Sequence, residues 1–382
     1  MQAQTQVFAR YRSAIGIKPL LRLEASPSME NAANRAFLPN SAIAELLAIA
    51  AENAKMPLQK ALRRASRKAF MWAEEAAMLR QNGRSLTELP AVGPSISRII
   101  ENWIKDPPVT PIPPDIRANF LTATEVSAIL SNKPDWANAL KGDLQMHTVW
   151  SDGSGSIEDM ARAALQCGYQ FIAITDHSKD LKIAGGINEE QLQRQGQEIL
   201  AVNSKLREEG AQFKVLRSVE LNLSPAGDSD MERPSLQRLD LVLGCFHSAL
   251  RKKDDQTERY IAALRNPDIQ ILGHPRGRIY NYRVGLTADW ERVFGVAADL
   301  DKAVEIDGYP DRQDLSVNLL QVAKKSGCRI SLGTDSHDPL QLHFMNYSLA
   351  AAIQAGIPKG RVLNFMTAKD IEEWVGNVRN PH

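Results

Sequence analysis

The chain has 382 residues, of which 43% are hydrophobic, and a formal net charge of +1. That is apolar material for two cores, or for one large core with an appendage, and so even a charge balance predicts no polyanionic partner by itself. Its three widely spaced cysteines form neither a disulfide framework nor a CxxC zinc pattern, no apolar run approaches the about 18 residues of a membrane span, and no secretory signal is expected, which excludes a membrane or disulfide-stapled protein and points to the reducing cytoplasm.

Charge is unevenly distributed. Residues 1–106 carry 15 Lys+Arg and 9 Asp+Glu; the remainder carries 31 and 36. A basic first part on a mildly acidic body suggests separate tasks. Residues 1–38 show no period and are expected to form a flexible tail. From Asn40 the pattern turns helical: Asn40 or Ser41 is placed to cap a helix carrying Ile43, Leu46, Leu47 and Ala50. A second helix is expected from Pro57. On it Lys60, Arg63, Arg64, Arg67 and Lys68 fall on one face, with no acid among them. Like charges at such spacings repel, and an anionic partner would relieve that cost; a plain solvated face is the alternative.

The segment Leu86-Thr87-Glu88-Leu89-Pro90-Ala91-Val92-Gly93-Pro94-Ser95-Ile96 reads as a short helix, a tight turn and a second helix. Gly93 is expected to permit the turn, and the amides around Ser95 to offer a phosphate site at the helix start. This is the physics of a helix-hairpin-helix, which grips a DNA backbone without reading sequence. The block 41–104 resembles the small N-terminal DNA-binding domain of family X DNA polymerases, on Pro57-Leu58-Gln59-Lys60-Ala61-Leu62-Arg63-Arg64-Ala65 and on the Leu89–Gly93 turn. It departs where the family's hairpin has a first glycine and this chain has Ala91. The resemblance implies a helical DNA-binding domain over 39–105.

Five prolines between Pro107 and Pro114 mark a linker, and a short helical region completes a connecting segment over 106–140. From 141 to about 378 strands and helices alternate. Strands are expected at 142–147, 171–175, 214–219, 239–244, 269–273, 303–306 and 330–333. Helices are expected at 156–167, 188–208, 254–265, 289–300 and 314–326. This is a parallel α/β pattern, open or barrel-like. On the first strand, Leu144 and Met146 are expected on one face, Gln145 and His147 on the other.

Five histidines, His147, His177, His247, His274 and His337, each come directly after an expected strand, and Glu220 ends another. Carboxyl ends of parallel strands are where such folds gather their chemistry. Imidazoles and carboxylates converging on one rim suit a multinuclear site for Zn²⁺, Mn²⁺ or Fe.

The constellation resembles the PHP (polymerase and histidinol phosphatase) superfamily and, within it, the PHP domain that lies after the polymerase in bacterial family X enzymes. The residues that carry it are Gly142-Asp143-Leu144-Gln145-Met146-His147-Thr148, Thr175-Asp176-His177-Ser178, Ile183-Ala184-Gly185-Gly186, Val304-Glu305-Ile306-Asp307-Gly308-Tyr309 and Ser331-Leu332-Gly333-Thr334-Asp335-Ser336-His337. The resemblance implies a distorted seven-stranded β/α barrel with two or three divalent ions. One ion would take Gln145, His147, Glu220 and Asp335. A second would share Glu220 and take His247 and His274. A third would take Asp152, His177 and His337. Gln145 stands where the family has a histidine.

Metals so placed activate water and clamp a phosphate ester. Arg276, Arg278 and Lys182 are candidates to hold that phosphate. The segment 106–140 is too short for a polymerase palm, so no polymerisation is expected. The leading expectation is a phosphoesterase acting on DNA, as a 3′→5′ exonuclease or a remover of 3′ blocking groups. The alternatives are a phosphatase for small phosphomonoesters and a DNA-binding scaffold with an eroded PHP site.

Overall fold

A computed structural model describes residues 37–380. The expected tail lies, but for its last two residues, outside them. Helices α1 (Asn40–Asn53), α2 (Leu58–Ala69), α3 (Ala76–Gln81) and α4 (Pro94–Lys105), with a 3₁₀ turn at Leu86–Glu88, enclose a small apolar core. Ile43, Leu47, Leu62, Leu79, Leu86 and Ile100 are fully buried there. Asn40 does not cap its own helix; Pro39 precedes it, and the Asn40 amide oxygen instead accepts from the Ala76 N–H at the start of α3. Helix α2 buries Leu62, Ala65, Ser66 and Ala69 and turns its cationic stripe outward.

The turn before α4 corrects the expectation about glycine. Gly93 sits at φ −85°, ψ 175°, extended backbone open to any residue. The left-handed position is Ala91, at φ 66°. An L-residue with a Cβ is disfavoured there, and a glycine relieves the clash. Ala91→Gly is therefore expected to stabilise this helical region by about 1 kcal/mol, read as a later urea midpoint at constant m-value.

Residues 107–114 are irregular, with Val109 and Ile112 exposed. The chain then returns to both bodies. Arg117 bonds Glu45 on α1 through both carboxylate oxygens at 2.9 Å. Phe120 joins Phe70 and Tyr280 in an edge-to-face aromatic group. The Ser66 and Tyr280 hydroxyls meet at 3.0 Å, and the Tyr347 hydroxyl donates to the Phe70 carbonyl. The helical region is thus packed directly onto the loops of the α/β body. The single helical stretch expected here is two helices, α5 (Ala123–Ser131) and α6 (Pro134–Ala139).

The body then runs β1 (Gly142–Asp143), α7 (Ile157–Gln166), β2 (Phe171–Ile174), α8 (Glu189–Glu208), β3 (Lys214–Arg217), β4 (Glu220–Leu223), α9 (Arg233–Leu236), β5 (Leu243–Phe246) and α10 (Thr257–Arg265). It continues with β6 (Ile271–Leu272), α11 (Trp290–Asp299), β7 (Ala303–Asp307), α12 (Val317–Ser326), β8 (Arg329–Gly333), α13 (Met345–Ala355) and α14 (Ala368–Arg379). Capping boxes start α7 at Ser156/Asp159 and α8 at Asn188/Gln191. Every pairing between these strands is parallel, in the orders β1-β2-β3 and β4-β5-β6-β7-β8. Isolated parallel bridges, Met146 to Ser336 and His177 to Glu220, join the two sheets on either side. The result is a distorted α/β barrel in which the expected third strand is broken into β3 and β4.

The expected strand 239–244 begins later, at Leu243, and the expected 142–147 is regular only at its first two residues. The chain bends at Leu144, so Leu144 and Met146 do not share a face. Leu144 packs inside the ring with Phe171 and Leu243; Met146 packs outside with Ile157 and Met160. Phe171, Ala173, Leu216, Leu243, Ile271 and Ala303 fill the ring, and α14 plugs it with Ile371, Trp374, Val375 and Val378. Farther along the strands the inward positions change from apolar to charged. Among the described residues no helix is long and apolar enough to cross a membrane.

Candidate metal centre

Glu220, at the start of β4, is the hub. It is fully buried, and its Oε1 lies 2.8 Å from both His247 Nε2 and His274 Nε2. Its Oε2 lies 3.1 Å from His147 Nε2 and accepts from Gln145 Nε2 at 3.1 Å. His177 Nδ1 stands 3.6 Å from the same oxygen. Asp335, just past β8, meets His147 Nε2 at 3.1 Å. On the outer side Asp152 lies 3.3 Å from His337 Nε2 and 3.6 Å from His177 Nε2. The His147 ring stacks on those of His177 and His337, each at 4.3 Å between centroids.

All nine side chains expected to bind metal converge on this one site. His147, Asp152, His177 and His337 place one donor atom each within 4.8 Å of one another, as do His147, Glu220 and Asp335, and also His177, Glu220 and His247. Cys245 joins Glu220 and His274 in a fourth such group. Room for this crowding comes partly from Gly333, where any Cβ would overlap the Glu305 carboxylate. Two of the side chains stand on strained backbone, His274 at φ 23° and Asp335 at φ 51°.

The electrostatics fit a cation site. Burial alone would raise the Glu220 carboxyl, but the charges of His177 and His274 and bonds from His147 and His247 hold it well below the usual carboxylate range. Burial opposes protonation of His147, yet bonds to Asp335 and Glu220 outweigh it and raise that imidazole. Burial also opposes His274, which Glu220 nevertheless pushes up to about 9. Burial dominates at His177, pushed down to about 3. Among the described residues, buried ring nitrogens of His147, His177 and His274 and the buried Oε1 of Gln145 have no hydrogen-bond partner. Orphaned donor atoms around a buried carboxylate are costly unless a further group completes them. Imidazole, carboxylate and amide oxygen are a donor set for Zn²⁺, Mn²⁺ or Fe. The residues present therefore fit divalent ions.

Outside this ring Asp176 accepts from Thr148 and Ser151 and so pins the loop that carries Asp152. Asp143 accepts from the Thr334 hydroxyl beside Asp335.

Sequence reasoning missed three groups. Glu305 and Asp307 come after Ala303 at alternate, inward positions of β7. Burial pushes Glu305 up to about 8, and burial with the charge of Asp335 raises Asp307 well above its ordinary value. Their signal was the two-residue spacing of carboxylates in an apolar strand. The third is Arg312, whose Nη1 lies 3.2 Å from Asp335 Oδ2 and whose Nε lies 4.0 Å from Asp307 Oδ2. It brings a guanidinium into the centre.

The arginines expected to hold phosphate are placed otherwise. Arg278 is buried, stacks on Phe120, and donates to the carbonyls of Asn119 and Arg312. It ties the connecting segment to the barrel and is not available to a phosphate. Arg276 is half-buried, with Nε given to the Leu286 carbonyl. Lys182 is exposed, on a loop whose Gly185 packs against Ser151. On α2, Lys60, Arg63, Arg64 and Arg67 are exposed and Lys68 is partly so. Among the described residues none of these five is ion-paired, although the chain makes many such pairs elsewhere. Gly93 and Ser95 are exposed at the start of α4.

A family model described as PHP domain matches residues 143–334. The DNA polymerase/3′-5′ exonuclease PolX of Bacillus subtilis (strain 168) is 35% identical over 237 residues, 62% of this chain. The chain spans only 41% of the length of PolX. A probable phosphatase of Thermoanaerobacter sp. (strain X514) is 30% identical over 246 residues, covering 61% of this chain and 93% of the phosphatase. Among solved structures, histidinol phosphate phosphatase from Lactococcus lactis, complexed with zinc, L-histidinol and phosphate, aligns with a TM-score of 0.41 at 17% identity, over 57% of this chain and 94% of that one.

Proposed function

The chain belongs to the PHP-domain family of metal-dependent phosphoesterases, and we propose that the ester it hydrolyses lies at the 3′ end of a DNA strand. The observation that carries the choice of DNA is the outward face of α2, whose five cations have no carboxylate partner among the described residues, on a helix whose buried face sets Ser66 against Tyr280 of the barrel that holds the centre. A helix-hairpin-helix reading of residues 86–105, with the exposed start of α4 as a backbone phosphate site, supports it.

Two or three divalent ions would be held by Gln145, His147, Glu220 and Asp335, by Glu220, His247 and His274, and by Asp152, His177 and His337. Such ions supply Lewis acidity and lower the pKa of water, so no side-chain nucleophile is required. The chain's own residues do the rest. Glu220 holds four imidazoles at fixed positions. Asp176 and Asp143 fix the loops that carry Asp152 and Asp335. Arg312 presents a guanidinium, held charged by Asp335 and Asp307 against the effect of burial, where a phosphate oxygen would lie. The three thiols, free among the described residues, agree with a cytoplasmic protein.

A small phosphomonoester is the second reading. It is favoured by the probable phosphatase, whose length this chain nearly covers. Purified protein with Mn²⁺, given recessed duplexes, 3′-phosphorylated duplexes and small phosphomonoesters, separates the two. Hydrolysis of DNA ends at the higher kcat/KM is expected. Activity on small esters with none on DNA overturns the DNA reading.

A further inference from the structure

Two grooves flank the cationic face of α2. The outer one, about 520 Å³, lies between α2 and the hairpin turn, with Pro57, Thr87, Leu89 and Gly93 on its walls. The inner one, about 550 Å³, lies between α2 and the loop after β7, and is walled by Arg63, Arg67, Met71, Tyr309 and Asp311. Lys60 and Arg64 line both. The grooves are therefore consecutive stretches of one basic channel. Tyr309 on the wall of the inner stretch has the Arg312 guanidinium 5.9 Å from its ring centroid, and that guanidinium lies against Asp335 of the metal centre. Burial raises the Asp311 carboxyl, and the charges of Arg312, Arg67 and Lys68 oppose that rise. Cations thus outnumber carboxylates along that wall.

We propose that this channel is a strand path, leading the backbone of one unpaired nucleic-acid strand from the hairpin turn, across α2 and past Tyr309, to Arg312 and the metal centre. The proposal rests on the DNA reading above and deepens it, from DNA in general to a single strand. Three features select that occupant. The cations repeat at helical spacing along the exposed face of α2, which lines both stretches. Tyr309 and Met71 offer an aromatic and a soft apolar wall on which bases stack irrespective of sequence. Of the donors, His147, Glu220 and His274 are buried, His247 and His337 are partly open and Asp152 is exposed, with Arg312 partly open beside them. With those three donors buried, an end freed from its complement reaches them more closely than a paired end does, so the terminal nucleotides enter as one strand.

The test uses the full chain and oligonucleotides carrying 4-thiothymidine second from the 3′ end. Photocrosslinks are expected at residues 67–71 and 309–311; crosslinks confined to 87–95 overturn the path. For Arg64→Ala/Arg67→Ala the slope of log affinity for single-stranded DNA against log salt should shrink by about 1.4, two phosphates' worth. The ratio of kcat/KM on oligonucleotide to that on a small phosphomonoester should fall at least about tenfold. An unchanged slope and ratio overturn the path while leaving the DNA reading standing. Equal hydrolysis of a 3′ end locked by an interstrand crosslink overturns the single-strand requirement. Wild-type protein that cleaves small esters and no oligonucleotide overturns the DNA reading, and the path with it.

Discussion

Glu220→Gln is expected to strip the centre of metal and to lower turnover by more than about 100-fold, beyond what loss of an outer partner of a ligand costs. The reason is the number of contacts that one carboxylate serves. His247 and His274 both meet its Oε1, and His147 meets its Oε2. The substitution keeps the shape and removes the charge. Its amide would turn an N–H toward at least one imidazole nitrogen. Metal content by elemental analysis and kcat on a small phosphomonoester are the readouts. Full metal occupancy with wild-type turnover would remove Glu220 from the hub. His247→Ala should act in the same direction through a single ligand position. His343→Ala is the control: that ring is exposed, away from the cluster, and bonds the Leu340 carbonyl in its own turn. It should leave metal content and turnover intact.

Five of the histidines were legible because each comes directly after an apolar strand run, and parallel strands deliver the residues at their carboxyl ends to one rim. Glu220 was legible for the same reason, although the break between β3 and β4 that starts a new strand on it was not. Short-range alternation cannot report such a break, because it is imposed by the ring's curvature and by the His177 bridge. Leu144 shows the same limit: a bend places it inside the ring while Met146 lies outside. The plug helix α14 carries Ile371, Trp374, Val375 and Val378 at helical spacing, but only the assembled ring reveals that it has an end to close. Nearness in sequence to His274 points to Arg276 and Arg278 as phosphate ligands. The loop after β6 turns Arg278 toward the connecting segment, where backbone carbonyls and Phe120 hold it. Arg312 reaches the centre from a different strand's loop, and its partner Asp335 is remote in sequence. Proximity in the chain was the wrong measure for a residue whose position is set by tertiary packing.

Arg312→Ala is expected to lower kcat/KM by about 100- to 1000-fold, the range seen when one fixed donor to a developing oxyanion is removed, with metal content retained. The guanidinium sits at the rim of the cluster, partly open, against Asp335 and near Asp307. Its charge is secured by those acids, so it is present at any pH at which the protein is folded. A fork of donors on one side of Asp335 leaves others free to meet a phosphate oxygen. Arg312→Lys separates charge from geometry: a point charge restores attraction but not the planar fork, so a partial rescue is expected. The loss should fall alike on oligonucleotide and small ester, because both bring the same phosphate to the centre. That distinguishes Arg312 from Arg64 and Arg67, whose loss should fall on the oligonucleotide. If Arg312→Ala instead sheds metal, the residue acts by balancing Asp335 and Asp307, and its role is to position ligands rather than to touch substrate.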